Sequence, residues 1–95
     1  MKYKLSLRAE DYVRKMFRYG AKEYGMGKTD EYFDEIHTKF DLLTEHPSWG
    51  VNYSHISVNL KSYEHKAHSI YYTYSGDDIL IVRVLGSKQD PARHV

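Results

Sequence analysis

Two apolar runs near the end of the chain enclose a short polar segment and give the clearest structural signal in the sequence. Residues 68–74 and 79–85 are rich in β-branched and aromatic side chains, and residues 75–78 separate them with turn-forming types. This arrangement predicts a β-hairpin. The second run is too apolar for a solvated edge, so it predicts a central strand covered by helices.

Arg83 is the one charged residue in the second run. Side chains of a strand alternate between its two faces, so one set should meet the helices and the other should lie on the open face of the sheet. We predict Leu80, Val82 and Val84 against the helices, and Ile81, Arg83 and Leu85 on the open face.

The first quarter of the chain predicts a strand followed by a helix. Residues 2–7 alternate between polar and apolar types, which is typical of a half-buried strand. Ser6 can act as N-cap of a helix that begins near Leu7. Residues 25–27, with two glycines, should end that helix.

A second helix should begin at Thr29 or Asp30, either of which can cap it, and should end before Pro47, because proline disfavours helix at the preceding residue. The short link between the helices predicts an antiparallel helical hairpin. Farther on, residues 56–60 alternate and predict a strand, and residues 61–66 read as a polar connection into the β-hairpin.

The element order is therefore β-α-α-β-β-β, an α+β fold with the helical hairpin packed on a small antiparallel sheet. The length of 95 residues predicts a single domain over residues 1–95, with residues 86–95 as a flexible tail because they lack periodicity. The predicted core comprises Val13, Phe17, Phe33, Ile36, Phe40, Leu43, Leu80, Val82 and Val84.

Composition excludes several classes of site. The chain has no cysteine, so it has neither disulfides nor thiolate metal ligands. Its net charge of +1 gives no bulk attraction for nucleic acid, and we expect no sequence-specific nucleic acid binding. No apolar stretch is long enough to cross a bilayer, so we expect a cytoplasmic protein. His65 and His68 form an H-x-x-H pattern, but on a loop leading into a strand that spacing need not converge, and we expect no metal and no cofactor.

Several short motifs together resemble one family. Residues 40–50 are similar to the phenylalanine, leucine, proline and glycine signature of the ParE toxins, and residues 60–63, 68–72, 83–85 and Asp90 follow in that family's order and spacing. The chain thus resembles the toxin of a ParD–ParE pair within the RelE/ParE superfamily. The resemblance implies a plasmid-stabilising type of toxin that inhibits DNA gyrase, neutralised by a ParD-like antitoxin whose C-terminal segment wraps it.

Two positions depart from the family pattern. Lys61 stands where ParE toxins usually have arginine, and a lysine cannot make the planar bidentate contact of a guanidinium. Gly86 stands where the family often has histidine.

For target binding we expect contacts from positively charged and aromatic side chains on the sheet and the tail, namely Arg83, Lys61, His68, Tyr72 and Arg93. The RelE branch of the superfamily cleaves messenger RNA on the ribosome, which requires charge stabilisers together with a proton donor and a proton acceptor. The chain offers few such groups, so we favour a toxin that acts by binding. A RelE-type nuclease and an inactive relative that only binds its antitoxin are the alternatives.

Overall fold

The computed structural model describes residues 3–76, 78–86 and 88–95. Strand β1 is followed by the two long helices, four further strands and a short C-terminal helix. In chain order the elements are β1 Tyr3–Leu5, α1 Leu7–Tyr24, α2 Met26–Glu45, a 3-10 turn Pro47–Trp49, β2 Val51–Asn52, β3 Lys61–His65, β4 His68–Ser75, β5 Asp78–Gly86 and α3 Pro91–His94.

The five strands form one sheet in the order β1-β5-β4-β3-β2. Strands β2 to β5 pair antiparallel, as predicted, whereas β1 pairs parallel with β5. The sheet is therefore mixed rather than purely antiparallel. Between β1 and β5 the chain passes through both helices and the other strands, and a long connection of this kind allows two strands to run in the same direction. The predicted α+β class, with a helical hairpin on a sheet, is confirmed.

Ser6 starts α1 as the sequence predicts. Its Oγ accepts a hydrogen bond of 3.0 Å from the Ala9 amide and donates one of 2.6 Å to the Val82 carbonyl of β5. The cap therefore also fixes α1 to the central strand. The strand before it covers Tyr3–Leu5, and Lys2, which we included in that strand, lies outside the described residues.

The second helix begins at Met26, three residues before the predicted start. Gly25 alone makes the turn, with a φ of 86° that suits glycine. Thr29 is buried inside the helix, where its hydroxyl donates to the Gly25 carbonyl at 2.8 Å. A Cβ on Gly20 would lie 2.9 Å from Thr29 Oγ1. The two helices thus touch at this point because one of them has no side chain there.

Strand β3 covers Lys61–His65, which we expected to be a connection, and the predicted strand at residues 56–60 is a loop. Within this loop the Leu60 amide bonds to the Ser57 carbonyl, and Asn59 has a φ of 62°. Ile56 and Leu60 do lie inside, because the loop folds over the sheet and buries them against Tyr71. Val58, the apolar residue between them, is 79% exposed, so the alternating sequence does not correspond to one buried face of a strand.

A β-bulge divides β5. Tyr71 pairs with Arg83 but Tyr72 pairs with Ile81, so Val82 is an extra residue. Before the bulge, Ile79 and Ile81 face the helices. The predicted alternation placed Leu80 and Val82 there, which is wrong: Leu80 is exposed and Val82 packs on the other face.

We expected residues 86–95 to form a flexible tail, and the described residues 88–95 include the short helix α3. Asp90 Oδ1 accepts from the Ala92 amide at 3.0 Å, so Asp90 caps α3 and Pro91 occupies its first turn. Gln89 Oε1 accepts from the Gly86 amide at 2.7 Å. Val95 then packs beside the cluster of Leu60, Tyr71 and Leu85 on the sheet face away from the helices, which we call the far face.

Hydrophobic burial on the helix side follows the predicted stripe. Of the nine predicted core residues, Val13, Ile36, Phe40, Leu43 and Val84 are buried, Phe17, Phe33 and Val82 are half-buried, and Leu80 is exposed. The buried cluster also contains Ala9, Ile70, Tyr72, Ile79 and Ile81.

Replacing Phe40 by alanine should lower the free energy of unfolding by about 3–5 kcal/mol, because its fully buried ring leaves a cavity. Leu80→Ala is the matched control on β5: with 42% of the residue exposed, we expect a loss of about 0.5 kcal/mol. Urea denaturation measures both. A large loss for Leu80→Ala would contradict the bulge.

Candidate functional site: the hairpin groove and its histidine end

An apolar groove opens between α1 and α2, with a volume of about 710 Å³. Tyr12 and Met16 line it from α1, and Tyr32 and Phe33 line it from α2. Phe17 packs edge-on against Phe33 with ring centroids 5.1 Å apart. We call this cavity the hairpin groove. Its walls are side chains at three- and four-residue spacing, which is why they share one face of each helix.

The ionisable groups around the hairpin groove are basic or phenolic. Lys15, Lys28 and Lys66 lie at its rim together with His68, and the described lining includes no aspartate or glutamate. Lys15 is paired on its outer side with Asp11 at 3.0 Å. The groove therefore combines an aromatic interior with a lysine-bearing rim, of which Lys15 and Lys66 each contact a carboxylate that lies outside the lining.

One end of the groove is built around Tyr32. Its hydroxyl lies 2.6 Å from His68 Nδ1, and its ring stacks on His65 with centroids 5.7 Å apart. Lys66 Nζ lies 5.8 Å from the same ring centroid, and the Tyr12 ring meets His68 edge-on at 6.0 Å. We call these five residues the histidine end. They fasten both helices to the turn between β3 and β4.

Glu35, one turn beyond Tyr32, adds a carboxylate beside this end. Its Oε1 lies 2.6 Å from Lys66 Nζ and 3.4 Å from His65 Nε2. The hydrogen bond and charge of Lys66 lower the pKa of Glu35. Burial lowers the pKa of His65, although Glu35 opposes this effect. Burial also lowers the pKa of His68, and His65 adds to that effect.

Arg83 lies at the boundary between the far face and α1. Its backbone pairs with Tyr71, yet the groups that influence its charge, Arg8 and Tyr12, belong to α1. Burial, followed by the neighbouring Arg8, lowers the pKa of Arg83. Its Nε is buried and has no hydrogen-bond partner within the described part of the chain. A partly dehydrated guanidinium of this kind is suited to a partner that brings an acceptor.

Lys61 and Arg93 occupy separate places. Lys61 begins β3, pairs with Tyr72, and places Nζ 5.9 Å from the Tyr74 ring centroid. Arg93 is exposed in the last turn of α3. Neither joins the histidine end.

Tyr72 cannot contact a target in this structure, contrary to our expectation. It has no exposed surface, and its hydroxyl donates to the Pro47 carbonyl at 2.7 Å and accepts from the Gly50 amide at 2.8 Å. A Cβ on Gly50 would come within 2.5 Å of that hydroxyl. Tyr72 therefore ties the sheet to the turn after α2. Tyr71, on the opposite face, pairs with Arg83.

Comparison with known proteins places this arrangement in a family. A family model described as "ParE toxin of type II toxin-antitoxin system, parDE" matches residues 3–91. The chain belongs to the ParE toxin family. Among solved structures it is similar to a chain of the chromosomal ParDE toxin–antitoxin system from P. aeruginosa, at 16% identity and a TM-score of 0.75, covering 93% of this chain and 97% of that chain. A search of curated proteins finds no match.

Two features of this ParE-family toxin escaped sequence reasoning. Tyr12 lies close enough to Arg83 to influence its charge, and its ring also meets His68. Tyr32 hydrogen-bonds to His68 and stacks on His65. Both tyrosines lie off the strongest apolar stripe of their helices. The four-residue spacing of Tyr12 from Met16 is the signal that could have placed Tyr12 beside the groove. Within residues 3–76, 78–86 and 88–95, no three His, Asp or Glu side chains form a metal site, and no helix is long and apolar enough to span a membrane.

Tyr72→Phe should lower the free energy of unfolding by about 1–3 kcal/mol, because it leaves the buried Gly50 amide and the Pro47 carbonyl without their partner. Tyr74→Phe, on the same strand but 42% exposed, is the matched control and should change stability by less than about 0.5 kcal/mol. Thermal or urea unfolding measures the stability of both variants. A loss of stability for Tyr72→Phe as small as that for Tyr74→Phe would show that the buried hydroxyl contributes nothing.

Proposed function

We propose that this ParE-family toxin inhibits DNA gyrase by binding it, and that a ParD-like antitoxin neutralises it in the cytoplasm. The observation that carries the proposal is the family match over residues 3–91. The positions of the candidate residues support action by binding, since they are spread over the molecule rather than gathered around one reacting group.

The register of the sheet gives the scale of that spread. His68 pairs with Gly86, three residues along β5 from Arg83, which corresponds to about 10 Å. Lys61 lies on β3, two strands away from β5, or again about 10 Å. Groups that act on one phosphodiester must be within hydrogen-bond reach of it. Arg83 and Lys61 instead suit separate contacts on an extended surface.

Purified toxin should inhibit supercoiling of plasmid DNA by gyrase, and Arg83→Ala should weaken that inhibition by tenfold or more, about 1.4 kcal/mol or above, because the variant removes a partly buried charged donor. Arg83→Lys tests whether a positive charge at this position is enough for gyrase inhibition without the planar guanidinium. Arg18→Ala, which removes an exposed cation of α1, is the matched control and should inhibit like the parent.

A translating ribosome with a defined messenger forms the second arm of this experiment. Codon-specific cleavage of the messenger with unaffected gyrase would overturn the gyrase proposal in favour of a RelE-type nuclease. Activity in neither assay, with folded protein, would leave a chain that only binds its antitoxin.

The hairpin groove is the surface that we assign to the antitoxin. Backbone amides and carbonyls of α1 and α2 are engaged within their own helices along the groove, so a partner segment lying there must satisfy its own backbone groups. A helix does so and an added strand does not. The lysines at the rim favour a helix with acidic side chains beside its apolar face.

Tyr19→Glu should weaken antitoxin binding by tenfold or more, because it puts a carboxylate at the apolar wall of the groove. Tyr19 is 61% exposed, so folding should be retained. Val58→Glu, at a residue 79% exposed in the loop over the far face, is the matched control. Calorimetric titration with the antitoxin encoded beside the toxin gene measures both. Normal antitoxin binding by Tyr19→Glu together with loss of binding by Val58→Glu would place the antitoxin on the far face.

A further inference from the structure

His68 is half-buried at the histidine end of the groove and is in contact with three elements. Tyr12 meets its ring from α1, the Tyr32 hydroxyl bonds to Nδ1 from α2, and His65 is its partner across the β3–β4 pairing. In the described ranges the Tyr32 hydroxyl supplies the one hydrogen bond to this ring. With Nδ1 occupied, Nε2 is the nitrogen left for a further partner.

The two histidines of this end differ in the charges that face them. His65 Nε2 lies 3.4 Å from the Glu35 carboxylate, which Lys66 also engages at 2.6 Å. The groups facing His68 are the Tyr12 and Tyr32 rings and His65, with Lys66 two residues before it in the chain. Glu35 lies within ion-pair distance of His65 and Lys66, whereas no carboxylate of the described residues forms an ion pair with His68. A charge on His68 therefore has no acidic counterpart in the described residues.

We propose that the histidine end receives a carboxylate of the antitoxin, and that His68 takes up a proton as this carboxylate binds. The inference rests on the proposed docking of the antitoxin in the hairpin groove. The basic rim and the lack of an acidic lining residue make a carboxylate the complementary group. A carboxylate of the antitoxin placed beside Nε2 would supply the counter-charge that His68 lacks.

The hydrogen bond to Tyr32 is compatible with both protonation states. In neutral His68 the Tyr32 hydroxyl donates to Nδ1 and Nε2 carries the proton. In the imidazolium, Nδ1–H donates to the Tyr32 oxygen while Nε2–H donates to the carboxylate. Proton uptake therefore requires only rotation of the Tyr32 hydroxyl hydrogen, and the ring can stay in place.

The sign of the pH effect follows from linkage. Burial holds the pKa of His68 below its ordinary value in the free toxin, so the ring is neutral near pH 7. A carboxylate in contact with the ring raises that pKa in the complex. A group whose pKa rises on binding takes up protons, so affinity increases as the pH falls and decreases as the pH rises. One such group changes the affinity by at most about tenfold per pH unit.

The test is calorimetric titration of the full-length toxin with the ParD-like antitoxin encoded beside its gene. Titrations at about pH 6 and about pH 8 give the affinities, and two buffers of different ionisation enthalpy give the number of protons taken up. The variants are His68→Gln, which keeps a donor near Nε2, and His68→Asn, which keeps an acceptor near Nδ1 for Tyr32. His55→Gln, an exposed histidine in the loop over the far face, is the matched control.

We expect the parent and His55→Gln to bind at least about threefold more tightly at the lower pH, with an uptake of about half to one proton. Both His68 variants should lose most of that uptake and dependence while keeping the parental melting temperature within a few degrees. Equal proton uptake by either folded His68 variant and the parent, or no uptake by the parent, would overturn this inference and leave the docking proposal standing. Absence of binding by the folded parent at both pH values would overturn the proposed function itself.

Discussion

The extra residue in β5 decides which side chains reach which face of the sheet. With Val82 inserted opposite the step from Tyr71 to Tyr72, Ile79 and Ile81 face the helices before the bulge and Val84 faces them after it. If Val82 were not bulged, strict alternation along β5 would put Ile81 and Val84 on opposite faces. The bulge also sits where Ser6 bonds to the Val82 carbonyl, so the start of α1 and the change of register are fixed at the same place.

Much of this fold could be predicted because its signals are local. The Ser6 hydroxyl caps α1 by accepting from the backbone amide of Ala9, three residues along the chain. Ile36, Phe40 and Leu43 form a buried stripe along α2. The bulge could not be predicted, since it depends on how β4 and β5 pair and not on either strand alone. The same holds for residues 56–60, of which Ile56 and Leu60 pack over Tyr71 while Val58 is exposed, so the segment does not pair in the sheet.

The candidate site was accessible to sequence reasoning only in part. Arg83 was singled out as the one charged residue of an apolar run and His68 through its H-x-x-H pattern with His65, and their role in target binding stays a prediction. Tyr72 was misplaced because its sequence neighbourhood resembles that of Tyr71, and only the partners of its hydroxyl, on the turn after α2, distinguish a structural tyrosine from a binding one. Tyr12 has a four-residue spacing from Met16 that could have placed it beside the groove, whereas the role of Tyr32 becomes visible only when His65 and His68 are in place.

The two faces of the sheet are closed in different ways, and this difference leaves the hairpin groove open. On the far face the chain covers itself, with the loop around Ile56 and the terminal Val95, which follows α3, packing beside Tyr71 and Leu85. On the helix side the helices touch at Gly20 and Thr29 and are held to the β3–β4 turn through Tyr32. The groove is lined by aromatic side chains of both helices, among them Tyr12, Tyr32 and Phe33. Because this apolar cleft is present without a partner, the antitoxin helix that we propose for it would order little of the toxin on binding and lose correspondingly little of its binding energy.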